Sequence, residues 1–220
     1  MTLTSMDLAG FTQHDAGVWT DEQGQVLSLH SFDLVPDLPA ALDDLDTLRA
    51  ELAISTAAAG AGLIEAGPET VDGVPAVRQI VKVPHPQGHG LVFVGSVIVP
   101  KASCSIVIKV QAAESGTTGA REATVLAEVG PTEYFQPHPY AAAVHGGLPY
   151  HVGDLAEWDE KFPDHPLTTV RRTLDRLVPT AALGEDFKAL PSFVPTTNPG
   201  EGADSDQPAR RGLFRRRGGK

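Results

Sequence analysis

The stretch GLIEAGPETVDGVPAVRQIVKVPHPQGHGLVFVGSVIVPKASCSIVIKVQAA, Gly62–Ala113, decides the fold. GLIEAGPETV and VPAVRQIVKV flank Asp72-Gly73, a dipeptide that supplies the positive φ angles of a tight hairpin turn. VPHPQGHG interrupts the apolar run before LVFVGSVIVP, and Lys101–Ser103 makes a short turn into CSIVIKVQAA. These are four successive strands of an antiparallel meander. Leu91, Phe93, Val97 and Val99 alternate with Val92, Val94 and Ile98, so both faces of that run are apolar. A strand of this kind lies centrally and is covered on both sides.

Working outward, Val26, Leu27, Leu29 and Phe32 mark an earlier strand, with Val18 and Trp19 as its hairpin partner. Between the two groups, Leu38, Ala41, Leu42, Leu45, Leu48 and Leu52 recur at three- and four-residue spacing. The spacing predicts a helix over Pro39–Ala59, capped by Asp37 and closed at Gly60. TTGAREATVLAEV from Thr118 and PLTTVRRTLDRLV from Pro166 read as further helices, the second stopped by Pro179. The predicted class is α+β: an α/β/α sandwich with a central antiparallel meander sheet and helices on both faces.

Lys and Arg total 17 against 28 for Asp and Glu, a net charge of −11. Arg210, Arg211, Arg215, Arg216, Arg217 and Lys220 crowd the last eleven residues, so the 209 residues before them carry −17. That balance excludes nucleic acid as a partner of the body. A single cysteine forms no internal disulfide and no zinc knuckle. No secretory signal, lipobox or apolar run of membrane-spanning length is visible, which predicts a cytoplasmic protein. The polar, Pro- and Gly-rich run after Leu190 divides the chain into a domain over 1–190, with a C-terminal helical extension, and a disordered linker and basic tail over 191–220.

The element order, over Phe11–Val129, resembles the PsbP-like α/β/α sandwich superfamily, which includes the photosystem subunit PsbP, a Ran-binding nuclear import factor and envelope proteins of the DcrB and LpqN type. GTTGAREA (Gly116–Ala123) and WDEKFPDHPLTTVRRTLDRL (Trp158–Leu177) resemble an actinobacterial branch with the same appended segments. The resemblance implies a binding or assembly module without catalytic residues, acting on a protein partner. This chain departs from the envelope members in lacking a signal or lipobox.

Chemistry-bearing residues concentrate in Gln136–His165, a proline- and aromatic-rich connection. His138, Tyr140, His145, Tyr150, His151 and Trp158 are the candidate partner-binding residues, because long irregular connections collect binding groups. The same histidines with Asp154, Glu157, Asp159, Glu160 and Asp164 are the raw material of a hydrolase, the alternative reading. His165, or Asp164, caps the helix at Pro166. His85 and His89 sit in a turn and lack a third ligand, Cys104 is a core thiol, and Gly60–Gly62 follows a helix where a phosphate loop would precede one. Neither a metal nor a cofactor is expected. The tail residues Arg210, Arg211, Leu213, Phe214, Arg215, Arg216 and Arg217 form an apolar pair among cations, suited to weak, salt-sensitive membrane contact and to a third reading as a membrane-surface adaptor.

Overall fold

The computed structural model describes residues 3–142 and 144–195. It is an α+β fold built on one seven-stranded antiparallel sheet. The strands are β2 (Thr12–Asp15), β3 (Val18–Thr20), β4 (Val26–Phe32), β5 (Gly62–Val71), β6 (Val74–Pro84), β7 (Leu91–Pro100) and β8 (Ser105–Ala113), in spatial order β2-β3-β4-β8-β7-β6-β5. The four-stranded meander and the hairpin of β3 with β4 are those the sequence predicts. At the β5–β6 turn Asp72 has φ 47° and Gly73 φ 78°, the pair of positive angles that a two-residue hairpin needs. A separate two-stranded ribbon joins β1 (Leu3–Ser5) to β9 (Ala182–Leu183), tying the start of the chain to its later part.

Helix α1 (Leu45–Ala58) packs Leu48, Leu52 and Ala53 on Leu63, Ala66 and Val77. It begins six residues later than the apolar stripe predicts. Asp44 takes a non-helical φ/ψ of −90°/68° and accepts the Thr47 N–H on its side chain. That cap fixes the start, while Leu38 and Ala40 bury as anchors of an irregular loop in the same cluster. Asp37 caps nothing.

Helix α4 (Pro166–Leu177) inserts Leu167, Val170, Leu174 and Leu177, each at most 1% exposed, into the larger cluster with Phe93, Val97, Ile106 and Ile108. Each such side chain stabilises by ~1.5–3 kcal/mol. The helix comes so close to β7 that a Cβ on Gly95 would stand 2.6 Å from Val170 Cγ1 and 2.7 Å from Leu174 Cδ1. Glycine at this position sets the approach. The rest of the fold is α2 (Ala120–Val129), α3 (Pro131–Tyr134), α5 (Glu185–Lys188) and three single turns of 3₁₀ helix, two of them at Val152–Asp154 and Ala156–Trp158.

Two expectations need correction. β7 is interior, yet its faces are unequal: Phe93, Val97 and Val99 are fully buried, whereas Val92, Val94 and Ile98 are partly buried. The reason is that α1 lies over β5 while α4 lies over β7 and β8. The linker also does not begin at Pro191. Pro191 accepts the Ala102 N–H, Ser192 bridges Lys101, and Phe193 packs on the α1 cluster. Among the described residues no helix is long and apolar enough to cross a membrane. The tail residues Arg210 to Arg217 lie outside the described residues.

Candidate functional site

Two clusters of titratable groups form beside α2 and α4. The first is dry. Lys82 shares its β6 parity with Ile80 and stands opposite Phe93 in β7, so its side chain enters the core. There Nζ donates to Asp154 Oδ1 at 2.9 Å and Oδ2 at 2.6 Å, and to His151 Nε2 at 2.9 Å. The 3₁₀ turn holds its own carboxylate in place, since the His151 N–H donates to Asp154 Oδ2. Because Nε2 accepts from an ammonium, the ring proton of His151 sits on Nδ1. Tyr134 stacks on that ring at 4.8 Å.

Burial pushes the His151 imidazole down to about 4, with Asp154 opposing and Lys82 and Arg121 assisting. Burial likewise lowers the Lys82 ammonium, against the attraction of Asp154. Burial, with the charges of Glu122 and Asp154, raises the Tyr134 phenol.

Two arginines brace the same segment. Arg121 of α2 is fully buried and donates to Gly153 O, Leu155 O, Asp159 Oδ1 and Thr168 Oγ1. Arg171 of α4 donates to both Asp159 oxygens, to Asp154 O and to Glu65 Oε2. Asp154 and Asp159 are thereby committed to internal bonds. The same holds for most of the sequence's binding candidates. His138 donates through Nε2 to Leu63 O and accepts the Tyr140 N–H on Nδ1, and the Tyr140 hydroxyl accepts the Ala66 N–H. Tyr150 packs on the His138 ring, and Arg49 lies over Tyr140 while donating to Ala66 O. Trp158 is partly buried under Lys161, and His145 is exposed. His151 is 6% exposed, a correction to its place among partner-binding residues: nothing docking from outside reaches it.

The second cluster opens on a groove of about 1020 Å³ bounded by the Asp21–Gln25 turn, the end of β8, the start of α2, and the segment from Lys161 into α4. His165 caps α4, its Nδ1 accepting the Leu167 N–H, and Phe93 meets the ring edge-on at 5.1 Å. Glu114 lies beside it, Oε1 at 3.8 Å from His165 Nε2. Its two oxygens also accept backbone N–H groups, Oε1 from Gly119 and Oε2 from Leu91. Burial would raise this carboxyl, but the His165 ring and the two amides outweigh it and hold it below the usual range. Gly90, at φ 92°, leaves the room: a Cβ there would stand 2.8 Å from Glu114 Oε2 and 2.6 Å from Thr118. Glu122 completes the group, with ligand atoms of Glu114, Glu122 and His165 all within 4.8 Å of one another. Among the described residues this is the set able to hold a metal ion. His85 lines the far side of the groove, and His89 is exposed.

Sequence reading misses Lys82, Arg121, Arg171, Glu114 and Glu122. One signal was present for Lys82: in VPAVRQIVKV it shares parity with Ile80, so a face carrying apolar residues also carries a cation. No family model matches the chain, and no curated protein matches it.

Proposed function

We propose that the protein is a non-catalytic binding or scaffolding module of PsbP-like α/β/α sandwich architecture that holds a protein partner in the groove between β8, α2 and α4. The layered reading is supported by β6, whose Val77 and Val81 pack in the α1 cluster and whose Ile80 packs in the α4 cluster. The groove carries the functional reading. At about 1020 Å³ it lies at the upper bound of small-molecule pockets, and polar side chains such as His85, Arg172 and Thr173 line it together with apolar groups such as Ala112, Phe162 and Pro166. An extended peptide segment suits that shape. Of the groups a hydrolase would draw on in residues 136–165, His138, His151, Asp154 and Asp159 are engaged internally, which leaves His145, His165, Glu157, Glu160 and Asp164 to that alternative.

Crosslinked capture from the native cell, followed by mass spectrometry, tests this. The wild type and Glu51→Lys on α1 should capture one common partner, crosslinked to groove residues, and Arg172→Glu should lose it. Capture indifferent to Arg172→Glu, or ester or amide hydrolysis abolished by His145→Ala, would overturn the proposal.

A further inference from the structure

The geometry points to a divalent metal site formed by Glu114, Glu122 and His165, the first and last of which line the groove, suited to Mn²⁺ or Zn²⁺. Two carboxylates and an imidazole converge within 4.8 Å, and among the described residues no Lys or Arg pairs with either glutamate. The nearby cations are spoken for: Lys82 by Asp154 and Arg121 by Asp159. Lys82 and Arg121 act on Glu122 only at a distance, without a direct bond, and two carboxylates this close repel one another.

The buried atoms carry the same message independently. His165 Nε2 and Glu122 Oε2 are shielded from solvent and have no hydrogen-bond partner, although the His165 side chain is only 9% exposed. Orphaned buried polar atoms call for an ion or a water. Two of the three ligands are already held, Glu114 by two backbone amides and His165 by the edge-on Phe93 ring.

One nitrogen and two carboxylate ligands form a set that Mn²⁺ and Zn²⁺ accept, with positions left for water or a partner's carbonyl on the groove side. Bonds of ~2.1 Å separate tetrahedral ligand atoms by ~3.4 Å, so the set closes by about an ångström, a movement the Glu122 side chain can supply. Binding at Nε2 moves the ring proton to Nδ1 and releases the Leu167 N–H from its cap. The tautomer therefore changes with no net proton released. The site stands independently of the partner proposed above.

The test is titration of the full chain, stripped with chelator, with Mn²⁺ and with Zn²⁺. One saturable site is expected, with the melting temperature raised by ~5–10 °C at a hundredfold excess over Kd. Glu122→Gln and His165→Asn should each weaken binding at least tenfold. Asn keeps an acceptor for the Leu167 N–H, so α4 stays capped. As a check needing no variant, bound Mn²⁺ should broaden the amide resonances of Leu91 and Gly119, which donate to Glu114. Absence of saturable binding, binding indifferent to both variants, or broadening confined to residues elsewhere would each overturn the site.

Discussion

His151 and His165 are both histidines beside carboxylates next to α4, and their surroundings part them. The His151 cluster contains its own cation. Lys82 spans both oxygens of Asp154 and the imidazole, and Arg121 and Arg171 bind the backbone around them. The His165 cluster has two glutamates, backbone amides and no cation in contact among the described residues. A closed set of complementary charges acts as a fastener. An open set with one sign missing is a receptor. Residue types alone do not separate the two; the neighbouring strand does, through whether it brings a lysine.

The comparison breaks most visibly at Asp154. Asp154→Ala leaves the Lys82 ammonium buried without its partner and should cost ~3–5 kcal/mol, read from the urea midpoint of the full chain. Lys82→Met with Asp154→Asn removes both charges and should lose less than half as much. A double variant as unstable as the single one would show that the pair is not what holds the segment.

Next comes acidity. Burial drives the His151 pKa from its ordinary 6.5 to about 4. Between those values the unfolded chain binds a proton that the folded chain refuses, so unfolding becomes easier as pH falls through that window. The loss should reach roughly 3 kcal/mol at pH 4 relative to pH 7, and His151→Gln should flatten the slope over that range. An unaltered slope in the variant would place the sensitivity elsewhere.

The open cluster should yield smaller effects without metal. His165→Ala removes the cap on α4 and should cost ~1 kcal/mol, with His165→Asn restoring most of it in a thermal melt. Glu122→Gln should change metal-free stability by less than ~0.5 kcal/mol, or raise it slightly, because it relieves a carboxylate with no cation. A large loss there would mean that Glu122 belongs to the fastener.

Much of this architecture is legible in the sequence where the signal is local. Asp72-Gly73 fixes the β5–β6 hairpin, and His165-Pro166 marks the start of α4 because a fixed φ and a side-chain acceptor both favour a first turn. The start of α1 misleads, since Leu38, Ala41 and Leu42 continue the helical spacing while Asp44 ends it by bonding the Thr47 N–H. The clusters are hidden for a different reason. Lys82 meets Asp154 across 72 positions, and Glu114 meets His165 only after β8 and α4 have packed. Composition shows the histidines and acids of Gln136–His165, but not which of them a distant strand will neutralise.

β5, the last strand of the sheet, has a further consequence. Several of its outward backbone groups are closed: His138 covers Leu63 O, Tyr140 and Arg49 cover Ala66, Pro68 has no N–H, and the Thr70 N–H turns to the Glu69 side chain. A strand from another molecule would meet an interrupted ladder on this side of the sheet. Strip away His138 and Tyr140, and ten residues of β-strand become a template for fibrous self-association. The aromatic segment beside β5 thus guards solubility as well as shape.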